Sequence, residues 1–570
     1  MDSRLTGESR LEPLGKSTLT NSQKRWLYGL WLFLIVAFAL LHALHLRADF
    51  PNHTSWLMDW AKYTDEGWYG NAAIRAHLFG NWYLPGDFNP APALPLWPFL
   101  EWVLFFFTGV SVEAARGLAV GFFCCNLLLS YLLLRARAPR WVAMLAVTLI
   151  VTSPFVYCFS RLAILEPMLT TLTLAALNLA IRLPRMRRPI AASAAIGLLF
   201  TLMMLTKTTA VFLLPALGWA MLVPLWGNRK LALRSTVAAG GVFAATYGLW
   251  MALIIHYGLL ADYKYLFFVN KYDKPKEFYW PLLSLWWSFH GGLWVGRILV
   301  PLAGLVTVVV IAGAAMALLQ PDSAITRRNP KVRALLVDPV FGASILAVGG
   351  YLFFMTYQNH PQPRYFAVVA FFSFFLVALG AGALLSTANP AGEGCRRHSP
   401  ESLFGWAVVA LASLTAAFNG YQTLNYATHP EYTFVSAAQR LTQYIDAHPN
   451  GNRLLVSISG DQISMVSHLP ALCDDFGTPS PAYPDLVTKL ARYQPGWWAT
   501  WNDIDPGTLE DIHTHFSLEQ VASFRAFDDP ERNVLVLFKL HPLPGGKTRS
   551  PGDQNLQLPL PGDKIEISIE

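Results

Sequence analysis

Five charged residues of this chain are of types that do acid–base and phosphate chemistry, and they lie where the sequence is otherwise apolar. Asp65 and Glu66 are adjacent, beside the aromatic residues Tyr63, Trp68 and Tyr69. Glu166 stands with Arg161 in SRLAILEP, Lys207 in LTKTTA, and Arg364 next to Tyr365 in NHPQPRYF. Carboxylates take a proton from an attacking hydroxyl or amine, or hold a divalent cation. Lysine and arginine stabilise a phosphate leaving group. The two types together suit a substrate whose phosphate is attached to a lipid, if the fold brings them to one place.

The elements that must position them are of membrane length. The chain has 570 residues, 54% hydrophobic and 14% charged, where a soluble domain carries roughly 25% charged. Its mean hydropathy is positive. Apolar runs near the length of about 20 residues that crosses a bilayer predict a polytopic α-helical membrane protein. The spans are expected at 26–46, 117–134, 141–158, 163–181, 190–206, 208–226, 235–257, 293–318, 340–357, 365–386 and 403–421. The first follows a polar segment, 1–25, ending in Lys24 and Arg25, and reads as an uncleaved signal anchor. The net charge of +7 is no nucleic-acid signal, because the basic residues cluster in short loops between apolar runs. Five cysteines, Cys124, Cys125, Cys158, Cys395 and Cys473, suggest no disulfide framework.

One further apolar run, 94–110, contains Pro95, Pro98 and Glu101 and is short. Loop charge decides its fate. With Lys24 and Arg25 cytoplasmic, a non-crossing 94–110 places all sixteen Lys and Arg of five short loops inside: Arg135/Arg137/Arg140, Arg182/Arg185/Arg187/Arg188, Arg229/Lys230/Arg234, Arg327/Arg328/Lys331/Arg333 and Arg396/Arg397. A crossing would put them all outside, against the positive-inside rule. The run is therefore expected to lie along the outer interface, within an outer loop 47–116 that carries Asp65 and Glu66. Beyond a membrane domain 26–421, residues 422–542 change character. RLLVSIS (453–459) and NVLVLFKL (533–540) read as strands and 432–447 as a helix. They predict a small extracytoplasmic α/β domain, followed by a flexible tail 543–570 with Pro551-Gly552 and Pro561-Gly562.

Taken singly, these charged residues also fit plainer roles. Asp65 and Glu66 would solvate a loop, and an acid followed by Pro167 suits a helix first turn. Arg364 fits an interface anchor, and Lys264, Lys271, Lys274 and Lys276, interleaved with Asp262, Asp273 and Glu277, fit a solvated loop. Lys207 is harder to place, since so short a link obliges its ammonium to snorkel or find a partner. Acids and bases gathered at the outer ends of different spans are what a site at that leaflet needs.

Four segments, in order, resemble the GT-C membrane glycosyltransferases, in particular the aminoarabinose-transferase and protein O-mannosyltransferase-like group: DEGWYGNAAI (65–74), SRLAILEPML (160–169), LTKTTAVFLLP (205–215) and QPRYFAV (362–368). The resemblance covers roughly residues 20 to 386. It implies a GT-C fold of about eleven transmembrane helices with interfacial helices in the first outer loop. It also implies inverting transfer of a sugar from a polyprenyl-phosphate donor to a protein, lipid or glycan acceptor outside. Asp65 would be the base, Glu66 would shape the site or bind acceptor, and Glu166 would be the second acid. Lys207 and Arg364, with Tyr365, would contact the donor phosphate. A divalent cation, if present, would sit at Glu166 and Asp65; no other cofactor is implied. The sequence departs from the pattern in having Glu166 where relatives often have Asp, and in lacking a proline soon after Arg364-Tyr365. A bacterial inner membrane is the expected location, with the endoplasmic reticulum left open by Asn52-His53-Thr54, an N-glycosylation match. The competing readings are a transporter or flippase, which would place its charges near the midplane, and a scaffold displaying the outer domain. Asp461, His468, Trp497, Trp498 and Trp501 read as ordinary core and surface residues.

Overall fold

The computed structural model describes residues 20–49, 65–84, 87, 89–269, 296–319, 334–357, 362–386, 400–474, 486–502, 504–526 and 532–544. The Asn52-His53-Thr54 match, Tyr63, Lys271, Lys274, Lys276, Arg396, Arg397, Cys395 and the tail from 545 lie outside them, as do Arg327, Arg328, Lys331 and Arg333.

Among the described residues eight helices are long and apolar enough to cross a membrane, and a ninth span results if one bent pair is counted. They match eight of the eleven runs read from the sequence. The run 141–158 is the bent pair. Helix α5 (Arg140–Thr152) meets α6 (Pro154–Arg161) at 68°. Pro154 cannot donate to the ladder of α5, and Ser153 instead caps α6 by accepting from the Val156 N–H at 3.3 Å. The run 163–181 forms a 15-residue helix, α7 (Glu166–Ala180), and 293–318 falls within a helix over Gly296–Leu319. This is an integral membrane protein.

The run 94–110 is a 13-residue helix, α3 (Leu96–Thr108). At 1.5 Å per residue it is about 20 Å long, short of the ~30 Å hydrocarbon core. It exposes Phe99, Trp102, Phe106 and Phe107 on one side and buries Trp97, Glu101 and Phe105 on the other. A helix that is apolar on its exposed side and lies against α2 (Asp65–Phe79) suits the membrane interface. Ser111 then caps α4 (Val112–Arg135), accepting from the Ala114 N–H at 3.1 Å.

The membrane helices share one apolar core. The span Pro363–Leu385 is wholly buried at its centre, whereas Asn21–Leu41 and Arg229–His256 lie almost entirely on its outside. The last span runs on to Thr428, so the C-terminal domain begins beyond it with α16 (Thr433–Ala447). That domain holds a five-stranded mixed sheet in the order β2 (Ala471–Leu472), β1 (Leu455–Val456), β3 (Trp497–Trp501), β5 (Val534–Pro542), β4 (Phe516–Arg525). The alternation of strand side chains sends Trp497, Ala499 and Trp501 into one core with Phe434, Leu441 and Ile445 of α16. Trp498 goes to the opposite core with Leu490 and Ile512. The expected strand 453–459 shrinks to two residues because the chain turns at Ser457 into α17 (Gly460–Ser467). The strand at 533–540 is present as β5, while β2, β3 and β4 are additional to the strands read from the sequence.

Single cysteines placed at Asn81 and at Thr108 on a cysteine-free background should both react with a membrane-impermeant maleimide from the outer face. Reaction at Thr108→Cys from the cytoplasmic face alone would mean that α3 crosses.

Candidate functional site

Asp65 and Glu66 do not stand in a loop. They open α2, where the aligned peptide dipoles favour an acid in the first turn. Glu166 likewise opens α7. Lys207 occupies a break in the chain. Its backbone is extended (φ −156°, ψ 132°), ending one helix at Thr206 before a 3₁₀ turn begins at Thr208. Arg364 and Tyr365 lie in a second 3₁₀ turn, Pro363–Tyr365, at the head of the central helix. Four irregular or terminal positions thus converge, and each of these residues is 7% exposed or less.

Within this cluster the charges pair. Arg364 Nη2 is 3.0 Å from Asp65 Oδ2. Lys207 Nζ makes an ion pair with Glu166 Oε1. The ammonium also lies over the Tyr365 ring at 4.5 Å and within 5.9 Å of the Tyr69 ring, so aromatic faces supply the attraction that water would give elsewhere. Arg364 lies 5.0 Å from the same Tyr365 ring. Two acids and two bases sum to zero charge. Glu166 Oε2 is buried without a hydrogen bond among the described residues. Glu166 also lines a cavity of about 10 Å³ together with Asn126, Ser160 and Thr170, which is room for about one water.

Glu66 faces elsewhere, and its surroundings are the part that sequence reasoning missed. Its Oε1 accepts from Arg116 Nε at 2.7 Å and from the Ala163 backbone N–H at 2.9 Å. Its Oε2 accepts from Arg116 Nη2 at 2.6 Å and from Gln462 Nε2 of the outer domain at 2.9 Å. Four donors fill the roughly four acceptor positions of a carboxylate. Arg116 reaches on to the carbonyls of Leu46 at 2.9 Å and Ala48 at 2.7 Å. An arginine at the outer end of an apolar run is costly unless paired, and that signal was present in the sequence at Arg116. Nothing local marked Gln462.

A second buried cluster joins α2 to the C-terminal domain. Asn71 donates to Asp461 at 2.7 Å, and Arg75 Nη2 bonds Asp87 at 2.5 Å and Asp461 at 3.3 Å. Lys489 Nζ lies 3.4 Å from Asp87. Burial pushes the Asp461 carboxyl up to about 6, against the pull of Arg75. Burial also acts on Asp87, but Arg75 and Lys489 outweigh it and hold that carboxyl below its ordinary value.

A metal centre is not assembled as the sequence suggested. Among the described residues no three His, Cys, Asp or Glu side chains come together as a metal-binding group. Asp65 and Glu166, the two expected ligands, are each already neutralised by a base. Both acids would have to exchange a base for the ion, with Glu166 Oε2, buried without a hydrogen bond among the described residues, as the atom nearest to hand.

No family model matches the sequence, and no curated protein matches it. The likeness is to solved structures. ArnT from Cupriavidus metallidurans, bound to undecaprenyl phosphate, is similar over 89% of this chain and 98% of that one, with a TM-score of 0.51 at 15% identity. The fold is the GT-C fold. The archaeal oligosaccharyltransferase AglB from Archaeoglobus fulgidus, in complex with an inhibitory peptide and a dolichol-phosphate, is similar over 88% of this chain and 73% of that one, with a TM-score of 0.50 at 13% identity. In the GT-C frame of this chain, the two ion pairs and the Glu66 junction sit where α2, α7 and the central helix begin.

Two outcomes follow for stability. Arg116→Ala strands the buried Glu66 carboxylate, and breaking such a pair costs about 3–5 kcal/mol. Thermal unfolding in detergent should show that loss, and the double variant Arg116→Ala/Glu66→Ala should recover part of it. For Asp461 the folded-state pKa, about 6, lies above the unfolded 3.8, so the folded protein holds the proton more tightly. Its contribution is present at low pH, is lost as pH rises from about 4 to about 6, and is flat above. Asp461→Asn should remove that part of the slope in unfolding temperatures measured from pH 4 to 7.

Proposed function

We propose that this protein is a membrane glycosyltransferase that moves a sugar from a polyprenyl-phosphate carrier to an acceptor on the extracytoplasmic side. The observation that carries the reading is the buried pairing of Asp65 with Arg364 and of Glu166 with Lys207 in a GT-C fold. The solved ArnT and AglB structures hold undecaprenyl phosphate and dolichol-phosphate, and a donor of that chemistry suits this site.

The charge balance supports the same reading. A sugar joined to a lipid through phosphate carries about one negative charge. Transfer leaves a lipid phosphate monoester with about 1.5 to 2 negative charges. Negative charge therefore grows on the leaving group, where Lys207 and Arg364 offer three and up to five N–H donors. Stabilisation that strengthens along the reaction is the kind that accelerates it. When Arg364 turns to the phosphate, Asp65 is released from its partner. Asp65 is then the group to take the proton of the acceptor hydroxyl or amine as that nucleophile attacks the anomeric carbon. The carbon–oxygen bond to the lipid phosphate breaks on the opposite face, and the configuration inverts. Glu166 holds Lys207, and its open Oε2 faces no competing donor among the described residues. Glu66, with all acceptor positions filled, shapes the site by fixing the residue beside the base. Loop charge favours the sheet domain outside, and the compact loops with a separate C-terminal domain favour a bacterial inner membrane.

Asp65→Asn preserves shape and removes the base. Turnover of a labelled polyprenyl-phosphate-sugar pool in membranes should fall about 10²–10⁴-fold at equal expression and unchanged unfolding temperature. Normal turnover in the variant would reject Asp65 as base, and absence of donor consumption in wild type across several donor sugars would reject the enzyme.

A further inference from the structure

We propose that the outer domain is a working part of the active site, with Gln462 and Asp461 as positioning residues that hold α2 so that Asp65 meets Arg364. This rests on the reading of Asp65 as the base.

Three contacts carry it, all within the first three turns of α2. Gln462 Nε2 donates to Glu66, the residue that follows the base, at 2.9 Å. Asp461 accepts from Asn71 at 2.7 Å and from Arg75 at 3.3 Å. Between these, Gly67 meets the backbone of α17 directly. A Cβ at Gly67 would lie 2.2 Å from the Gln462 nitrogen and 2.3 Å from the Asp461 carbonyl carbon. Backbone cannot give way as a side chain can, so only glycine allows this approach. The start of α17 therefore lies against the turn of α2 that carries Asp65.

The contact is also rigidly backed. Met465 of α17 belongs to the apolar core of the membrane helices, and His468 Nε2 bonds the Val110 carbonyl at 3.0 Å between α3 and α4. One turn further along the same face of α2, a Cβ at Gly70 would lie 2.1 Å from Glu101 Oε2 of α3. Helix α2 thus packs closely against both α17 and α3. The side-chain bonds of Gln462 and Asp461 run to Glu66, Asn71 and Arg75 of α2. Their effect on chemistry runs through the placement of α2, where an error of about 1 Å can cost about 10²-fold in rate.

The test compares full-length wild type with Gln462→Ala, the isosteric Gln462→Glu, Gln462→Lys and Gly67→Ala in lipid nanodiscs. Two readouts are taken: kcat and donor KM with a labelled polyprenyl-phosphate sugar, and hydrogen exchange of the α2 amides. In Gln462→Ala, Gln462→Glu and Gly67→Ala, kcat should fall about 10- to 100-fold. Donor KM should stay within about twofold, because the phosphate partners are untouched. The α2 amides should exchange faster while the membrane spans keep their protection. Gln462→Lys, which restores a donor to Glu66, should recover most of kcat. Unchanged kcat and unchanged α2 exchange in Gln462→Ala and Gly67→Ala would overturn the proposal. So would a fall in kcat with α2 protection intact. If wild type transfers no sugar while α2 still loosens in Gln462→Ala, the enzyme reading fails and the clamp on α2 stands.

Discussion

Charge removed from water has to be paired, and that constraint orders the outer face of this protein. Helix starts and chain breaks at the ends of the spans bring Asp65, Glu66, Glu166, Arg116, Lys207 and Arg364 out of solvent together. The desolvation of each ion amounts to several kcal/mol, so none of them is stable there alone. Every one is met by an opposite charge, and the two pairs nearest the head of the central helix are then backed by Tyr69 and Tyr365. The same rule repeats below the outer domain, where Arg75 and Lys489 meet Asp87 and Asp461.

Adjacent residues on a helix point about 100° apart, and that rotation separates the two acids at the start of α2. Asp65 turns to Arg364, for which we propose a second task in binding phosphate. Glu66 turns to Arg116, the Ala163 amide and Gln462, which fill it completely. Identical chemistry thus yields one acid with an exchangeable partner and one without. Environment assigns the roles, as it does wherever two neighbouring carboxylates differ in function.

Much of this was legible in the sequence and some was not. Composition pointed to the membrane class and to a run at 94–110 too short to cross, because hydropathy is summed over many residues. The residues Asp65, Glu166, Lys207 and Arg364 could be picked out because charge is rare in such a chain, and the structure brings them together. Pairing partners were not legible. Whether Arg364 meets Asp65 or Glu166 depends on the packing of helices far apart in the chain. The bend at Pro154 was overlooked although proline signals it. In the outer domain, β3 escaped notice since three tryptophans in five residues show no alternation of apolar with polar. A strand buried on both faces has none to show. Asp461 and Gln462 lie in an unremarkable polar stretch, and only the close approach at Gly67 reveals what they touch.

The hydrogen bond between Glu66 and Gln462 joins positions 396 residues apart. At a synthesis rate of about 5–20 residues per second, roughly 20 to 80 seconds separate the appearance of its two ends. During that interval the spans insert and the early loops fold with the junction at Glu66 incomplete. A contact on α2 is therefore completed long after α2 itself has emerged. Biosynthesis itself sets the order: a chain halted before α17 would carry the acids and the bases but not this bond across the fold.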